Sequence, residues 1–415
     1  MITAVLTSDN HLGTNYARFR PDKLELRRKR LRKAFQYVVD AAIERKVDLF
    51  LHAGDMFDRP DPRNDERHFV AQQLRRLQDA GIPVFAIAGN HDTPRSYGYG
   101  GGITPHQEAH ALGGLYLFRN SDSLAFQEVT IREQRVRIWG MSSDFNRPPD
   151  TCPLEVLSLE RENQDIAQIL LLHYGVEGWM RSFDEEAREP ILSLSHLERM
   201  QVDVIGVGHL HRRNQRLLES GALLINPGST ERMEFGEESL ECGFTLIKLD
   251  GTTAYAETLP IPMQPMRTLE WELSSDLVGV LTVEQETETA LTLLADYLTK
   301  IDAVSHSDQL LRIRFSGQMP RNLYHGFDWE TLQRKSSETN FHCQLETDRI
   351  TVFDPDSNLP IGYGVSFDVA EELQNTAQAF HDKHEGNELE QELHELAHAQ
   401  IQSAFDRLTG GGNRA

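Results

Sequence analysis

Short apolar runs alternate with longer amphipathic stretches over residues 1 to about 260. The runs Ile2–Thr7, Asp48–His52, Val84–Ala88, Val136–Gly140, Ile169–Leu172, Val202–Val207 and Leu223–Ile225 are too short for helices and predict strands. Leu24, Leu31, Phe35, Val38, Ala42 and Ile43 fall near a 3.6-residue period, which predicts a helix over 24–45. A second helix is expected over Asp65–Ala80, stopped by Gly81 and Pro83. Strands alternating with helices in this way define an α/β domain.

The stretch PIPMQPM, residues 260–266, interrupts that pattern and marks a domain boundary. Beyond it a strand near Arg267–Leu273, a helix through Thr287–Thr299, a strand at Leu310–Phe315 and a strand pair around Phe341–Phe353 predict a small α+β domain over 266–353. DPDSNLPIGYG, residues 354–364, is expected to be a linker. The remainder to residue 415 predicts helices on which Val369, Leu373, Ala377, Phe380, Leu389, Leu393, Leu396 and Ala404 keep an apolar stripe. Such a stripe packs on its own domain or docks onto a partner.

Composition narrows the classes. No run approaches the roughly 18 to 20 apolar residues of a membrane span, and the polar motif at Asp9 follows the first strand too soon for a cleaved signal peptide, so an untargeted, cytoplasmic chain is expected. Cys152, Cys242 and Cys343 form no CxxC pair, which fits neither a disulfide framework nor a zinc ribbon. The formal charge of −22 argues against a nucleic-acid partner, but its distribution weakens the objection. Residues 18–33 carry nine Lys or Arg against Asp22 and Glu25, whereas residues 368–395 carry nine acids against Lys383. The basic run, Arg27, Arg28, Lys29 and Arg30 at its centre, is either a solvated helix face or a DNA-facing patch.

Five segments place metal-type ligands directly after an apolar run. AVLTSDNHLG offers Asp9 and His11, LFLHAGDMFD offers Asp55, VFAIAGNHD offers Asn90 and His91, ILLLHYG offers His173, and VIGVGHLH offers His209 and His211. Side chains just past the ends of buried strands converge on the crevice where α/β sheets bind ligands. An Asp, Asn and His set without cysteine suits Mn, Fe, Zn or Mg. The seven donors other than His91 are too many for one ion and fit two, provided a carboxylate bridges them; two such ions grip a phosphoryl group and activate water. Gly54, Gly89 and Gly208 would let the backbone turn sharply after the strands.

SDNHLG, GDMFD, GNHD, the isolated His173 and GHLH resemble, in order and spacing, the calcineurin-like metallophosphoesterases. LLHYGVEG (171–178) and PGSTERMEFGEE (227–238) are similar to the SbcD-type DNA double-strand-break repair nuclease subunits within them. The resemblance covers residues 1–260 and extends, through LLRIRFSGQMP, to the DNA-capping domain of those enzymes over 266–353. It implies a metallophosphoesterase sandwich, two β-sheets flanked by helices, with a small α+β capping domain and a C-terminal helical arm. It further implies that Asp9, His11, Asp55 and His211 hold one ion and that Asp55, Asn90, His173 and His209 hold the other, manganese being the ion most members prefer. His91 would then protonate the leaving 3′ oxygen with Asp92 orienting its ring, and Asp58 would stand behind the ligands. The implied activity is cleavage of DNA as exonuclease or endonuclease at the nucleoid, with an SbcC-type coiled-coil ATPase bound by the arm. Dimerisation is common in that family, though no stretch of this sequence demonstrates it. Two alternatives keep fewer of these features: a phosphoesterase for small nucleotides or phosphoproteins, and a non-cutting adaptor on DNA ends. HELAH, residues 394–398, matches the zinc-protease pattern, but the residues after it supply no third His or Glu ligand, which leaves it as the wet face of a helix.

Overall fold

The computed structural model describes residues 1–354 apart from 17–18, 95–104, 145–147, 149–150, 162, 164, 180–189 and 274–282. The expected linker beyond residue 354, the acidic helical arm and the HELAH segment lie outside the described residues.

The first fourteen strands are β1 (Ile2–Thr7), β2 (Leu49–Ala53), β3 (Val84–Ile87), β4 (Tyr116–Phe118), β5 (Ala125–Ile131), β6 (Gln134–Gly140), β7 (Ala167–His173), β8 (Gly175–Val176), β9 (Ile191–Leu192), β10 (Val204–Gly208), β11 (Asn214–Leu217), β12 (Leu223–Asn226), β13 (Gly243–Asp250) and β14 (Thr253–Pro260). Twelve of them form two six-stranded sheets, ordered β14-β13-β1-β2-β3-β4 and β11-β12-β10-β7-β6-β5. Strands β1 to β4 run parallel in the first sheet, with antiparallel β13 and β14 at one edge, and β6, β7, β10 and β12 run parallel in the second, with antiparallel β5 and β11 at its two edges.

Parallel strands covered on both faces read as unbroken apolar runs, and alternate residues of β1 show why. Ala4 and Leu6 face a core shared with Leu51, Ile87, Ile138, Ile169, Leu171 and Val204 of both sheets. Val5 faces the other way, with Phe50, onto α1 (Pro21–Glu44) and α2 (Asn64–Asp79) through Leu31, Phe35, Val38 and Leu74. Leu170, Leu172, Ile205 and Val207 turn the second sheet's outer face onto Leu197 and Met200. Each Val, Leu, Ile, Phe or Met among them contributes about 1.5–3 kcal/mol by leaving water, and the two sheets pack into a double platform. The expected sandwich is the fold observed, and no helix among the described residues is long and apolar enough to cross a membrane.

The chain divides into two compact units. One comprises Met1–Leu269, Leu298–Ile313 and Glu330–Leu345; the other comprises Glu270–Tyr297, Arg314–Trp329 and the described chain from Glu346. The later part of the chain contributes a three-stranded sheet, β15 (Met266–Glu272), β16 (Leu310–Pro320) and β17 (His342–Phe353). The strand pair expected at Phe341–Phe353 is a single strand, because the segment has no Gly or Pro at which to turn. In the second unit Trp271, Tyr297, Phe315, Phe327 and Trp329 pack ring against ring at 4.5–6.0 Å. All three cysteines are free.

Candidate metal centre

Strand register aligns the carboxyl ends that carry the polar motifs. Thr7 pairs with His52, Ala53 with Ile87, and His173 with Gly208. Just past those ends Asp9, His11, Asp55 and His209 adopt positive φ, at 52°, 45°, 55° and 98°. Such backbone costs about 1–3 kcal/mol per residue and persists only where neighbours over-determine it. Here the N–H of Asp9 donates to the Gly54 carbonyl (3.1 Å), and those of Asn10 and His11 donate to the Asp55 carbonyl (2.9 and 3.1 Å). The loops after β1 and β2 thus hold each other in the conformation that points their side chains into the crevice.

The crevice gathers all seven donor residues expected from the sequence. Nε2 of His11 and Nε2 of His211 face each other at 3.0 Å. Oδ1 of Asn90 lies 2.9 Å from Nε2 of His173 and 3.2 Å from Nδ1 of His209. Oδ2 of Asp55 lies between the two groups, 3.2 Å from Nε2 of His173 and 3.8 Å from Nε2 of His11. Asp9, His11 and His211 can direct one atom each to a common point, and so can Asp9, Asp55 and His173. Asp9 is itself anchored: Oδ2 accepts from the Ser8 hydroxyl at 2.5 Å, and the His209 N–H donates to the carboxylate at 3.1–3.2 Å.

The polar atoms behind the ligands fix their orientation. Nδ1 of His173 meets the Ala53 carbonyl at 2.7 Å, so Nδ1–H donates there and Nε2 is the nitrogen turned to the crevice, free to take an ion once the ring gives up its second proton. His52, buried one layer below, has its pKa lowered well below the usual imidazole value by burial, with His106 and His173 adding to the effect. As a neutral ring it accepts the Gly54 N–H on Nδ1 (3.2 Å) and donates from Nε2 to Oδ1 of Asn10 (2.6 Å).

Electrostatics show that the crevice attracts positive charge. Burial alone would raise the pKa of Asp55, but His173, His11 and His91 outweigh it and hold the carboxyl well below the usual carboxylate range. Burial alone would lower His173, yet Asp55, Asp9 and the Ala53 carbonyl push it up to about 10. His211 is likewise raised against burial to about 9 by Glu237, with Asp9 and Asp55 assisting. Nδ1 of His11 is buried without a hydrogen bond. Imidazoles drawn toward protonation by buried carboxylates, among oxygen and nitrogen donors with no thiolate, suit divalent cations in the protons' place.

The glycines serve closeness more than turning. Only Gly54, at φ +92°, has a backbone that a side chain would strain; a Cβ there would also lie 2.4 Å from Nδ1 of His173. Gly89 and Gly208 have no such φ, but a Cβ would fall 2.2 Å from Oδ1 of Asp55 and 2.1 Å from the Ala53 carbonyl respectively. The expectation of three sharp turns therefore holds for Gly54 alone.

His91 is partly exposed beside the donors, its ring edge-on to His11 at 4.6 Å. Its Nδ1 lies 3.3 Å from the carbonyl and 3.7 Å from Oδ1 of Asp58, whose Oδ1 is also 3.4 Å from Nδ1 of His11. The expectation that Asp92 orients the His91 ring is corrected. Asp92 is fully buried, and its carboxylate accepts the N–H groups of Gly89 (2.7 Å), Met56 (2.9 Å) and Phe57 (3.4 Å), with Nε2 of His106 at 3.4 Å. Neighbours in sequence point apart in this tight loop, so Asp92 fastens the loops that carry Asn90 and Asp55, while Asp58 faces the ring.

The expectation for the basic run is corrected at Arg27. Arg27 is wholly buried, ion-paired to Glu231 at 3.2 Å, bonded to Gln264 at 2.8 Å and to the Arg232 carbonyl. Arg30 pairs with Asp308, and Nε of Arg28 donates to the Thr14 carbonyl at 3.1 Å. Of the four expected DNA-facing residues only Lys29 is exposed. The sequence reading also passed over Glu237, which meets Nδ1 of His211 at 2.5 Å; its signal was there in PGSTERMEFGEE.

Two six-stranded sheets with these donors at their strand ends define a metal-dependent phosphodiesterase, and residues 2–213 match the calcineurin-like phosphoesterase family, to which the chain belongs. The DNA double-strand break repair protein Mre11 of Sulfolobus acidocaldarius is 26% identical over 319 residues, covering 75% of this chain and 74% of that protein. The protein of the same name from Sulfurisphaera tokodaii is 28% identical over 257 residues, 59% of each chain. The crystal structure of a dimetal phosphatase from Danio rerio is 15% identical with a TM-score of 0.36, covering 62% of this chain and 98% of that one. The resemblance to SbcD-type proteins drawn from the motifs agrees with these relatives.

Proposed function

We propose that the protein is a DNA double-strand-break repair nuclease that cleaves phosphodiester bonds with two divalent ions, manganese in preference, alongside an SbcC-type coiled-coil ATPase. The observation that carries the chemistry is Asp55, whose Oδ2 lies 3.2 Å from one imidazole and 3.8 Å from another, between the two groups of donors. Asp9, His11, Asp55 and His211 would hold one ion and Asp55, Asn90, His173 and His209 the second. When bound, such a pair supplies Lewis-acid stabilisation of phosphoryl oxygens and an activated water. Relatives named for double-strand-break repair support DNA as substrate.

The protein's own residues supply position and a proton. Asp9 and Asp55, fixed by the crossed backbone bonds of their loops, keep the donors in place before substrate arrives. His91 stands at the solvent side with Nδ1 toward Asp58, which leaves Nε2 to protonate the leaving oxygen. The test is cleavage of an end-labelled linear duplex by the full chain with Mn, with Mg and with EDTA, beside His91→Ala and a bis(p-nitrophenyl) phosphate control. Metal-dependent cutting, lost in His91→Ala while its bound metal is kept, is the expected result. Hydrolysis of the small diester with DNA left intact, even with the ATPase added, would move the assignment to a small-substrate phosphoesterase.

A further inference from the structure

His173 and His211 are not supported alike. Behind His173 stands a neutral group, the Ala53 carbonyl at 2.7 Å from Nδ1. Behind His211 stands a carboxylate, Oε1 of Glu237 at 2.5 Å from Nδ1. That carboxylate is fixed at both ends, because its Oε2 accepts the Met233 N–H at 2.6 Å. It is largely buried, and the short turn Phe235–Glu237 that carries it is closed by the Glu237 N–H donating to the Glu234 carbonyl at 3.0 Å. The opposite nitrogen of His211 faces Nε2 of His11 at 3.0 Å, inside the crevice.

A carboxylate accepting Nδ1–H does two things to an imidazole ligand: it sets the tautomer that frees Nε2, and it raises the ring's basicity. A backbone carbonyl does the first and, being uncharged, does less of the second. Resting on the two-ion reading above, we propose that Glu237 is a positioning residue that strengthens one ion of the pair, the one held by Asp9, His11 and His211, through the ring it supports. Glu237 touches neither substrate nor ion in this scheme; it acts through His211 alone.

The test is equilibrium dialysis and titration calorimetry of Mn2+ on the full chain, wild type against Glu237→Gln and Glu237→Ala. Wild type is expected to take up two ions in two resolvable steps. Removal of the carboxylate should weaken one step by about 10–100-fold and leave the other within about twofold. Glu237→Gln keeps the shape and an oxygen acceptor while losing the charge, so it should retain the melting temperature of the EDTA-treated protein and fall between the other two in affinity. Phosphodiester hydrolysis by either variant should return at high Mn2+, with the metal requirement shifted and kcat largely restored. Unchanged affinities in both variants would overturn the proposal, as would equal weakening of both steps with a lowered EDTA-treated melting temperature, the mark of a purely structural carboxylate. A wild-type chain that takes up no ion would instead overturn the two-ion reading on which the proposal stands.

Discussion

Oδ1 of Asp58 lies 3.4 Å from Nδ1 of His11 and 3.7 Å from Nδ1 of His91, so one carboxylate addresses both an expected metal ligand and the expected proton donor. These roles separate by a double-mutant cycle. His91→Ala should lower cleavage by about 10²–10⁴, the usual worth of a positioned proton donor. If Asp58 acts through His91, Asp58→Asn loses part of that factor and the double variant is no slower than His91→Ala alone. Additive losses, measured with metal content verified, would place its effect at His11 instead.

The second prediction concerns protons released on metal binding. His173 and His211, raised to about 10 and about 9, both carry a proton in the metal-free protein at pH 7.5. A folded-state pKa raised above the unfolded value near 6.5 stabilises the metal-free fold most below that value and loses its contribution as pH rises through 9 to 10. Ions that take the protons' place must therefore release about two protons at pH 7.5 and bind more tightly as pH rises toward 9. Calorimetry in two buffers of different ionisation heat measures this directly. Uptake without proton release would show that the imidazoles are already neutral.

Why some of this was legible and some was not follows from particular residues. β1, β2, β3, β7 and β10 are buried on both faces, so their sequences are continuous apolar runs and the polar residue that ends each stands out. β5 and β14 mix half-buried and exposed positions with few large apolar side chains, and no run marks them. Within the site, residue types and order were enough to gather seven donors, since the strands themselves bring the motifs together. The division of work between Asp58 and Asp92 was hidden, because it depends on how two loops cross. Arg27 was hidden too: a basic run shows charge, and only the fold brings Glu231 beside its third arginine.

Gly89 provides the third prediction. A Cβ at this position would lie 2.2 Å from Oδ1 and 2.5 Å from the backbone nitrogen of Asp55, and neither can yield without moving the carboxylate. Gly89→Ala should cost about 1–3 kcal/mol, as overpacking in a dense core does, and should also reduce bound metal. Gly81→Ala is the control: φ is +74° there with nothing within 4 Å, so stability falls through backbone strain while metal content stays. Chemical denaturation with metal analysis on each variant separates the two effects.

The last prediction divides the basic run by burial. Arg27 and Glu231 are both buried and 3.2 Å apart, so Arg27→Ala strands a carboxylate in the interior and should cost about 3–5 kcal/mol. Lys29 and Lys33 are exposed on the same helix. Reversing them, Lys29→Glu with Lys33→Glu, should leave the melting temperature nearly unchanged. If this face meets DNA, the same pair should weaken duplex binding and flatten its dependence on salt, because each lost phosphate contact removes about one unit from the slope of log K against log salt. An unchanged slope would assign the exposed lysines to solvation alone and leave DNA contact to other surfaces of the protein or to its partner. Arg27→Ala, in contrast, should lower binding only in proportion to the unfolded fraction, with the salt slope of the remaining folded protein intact.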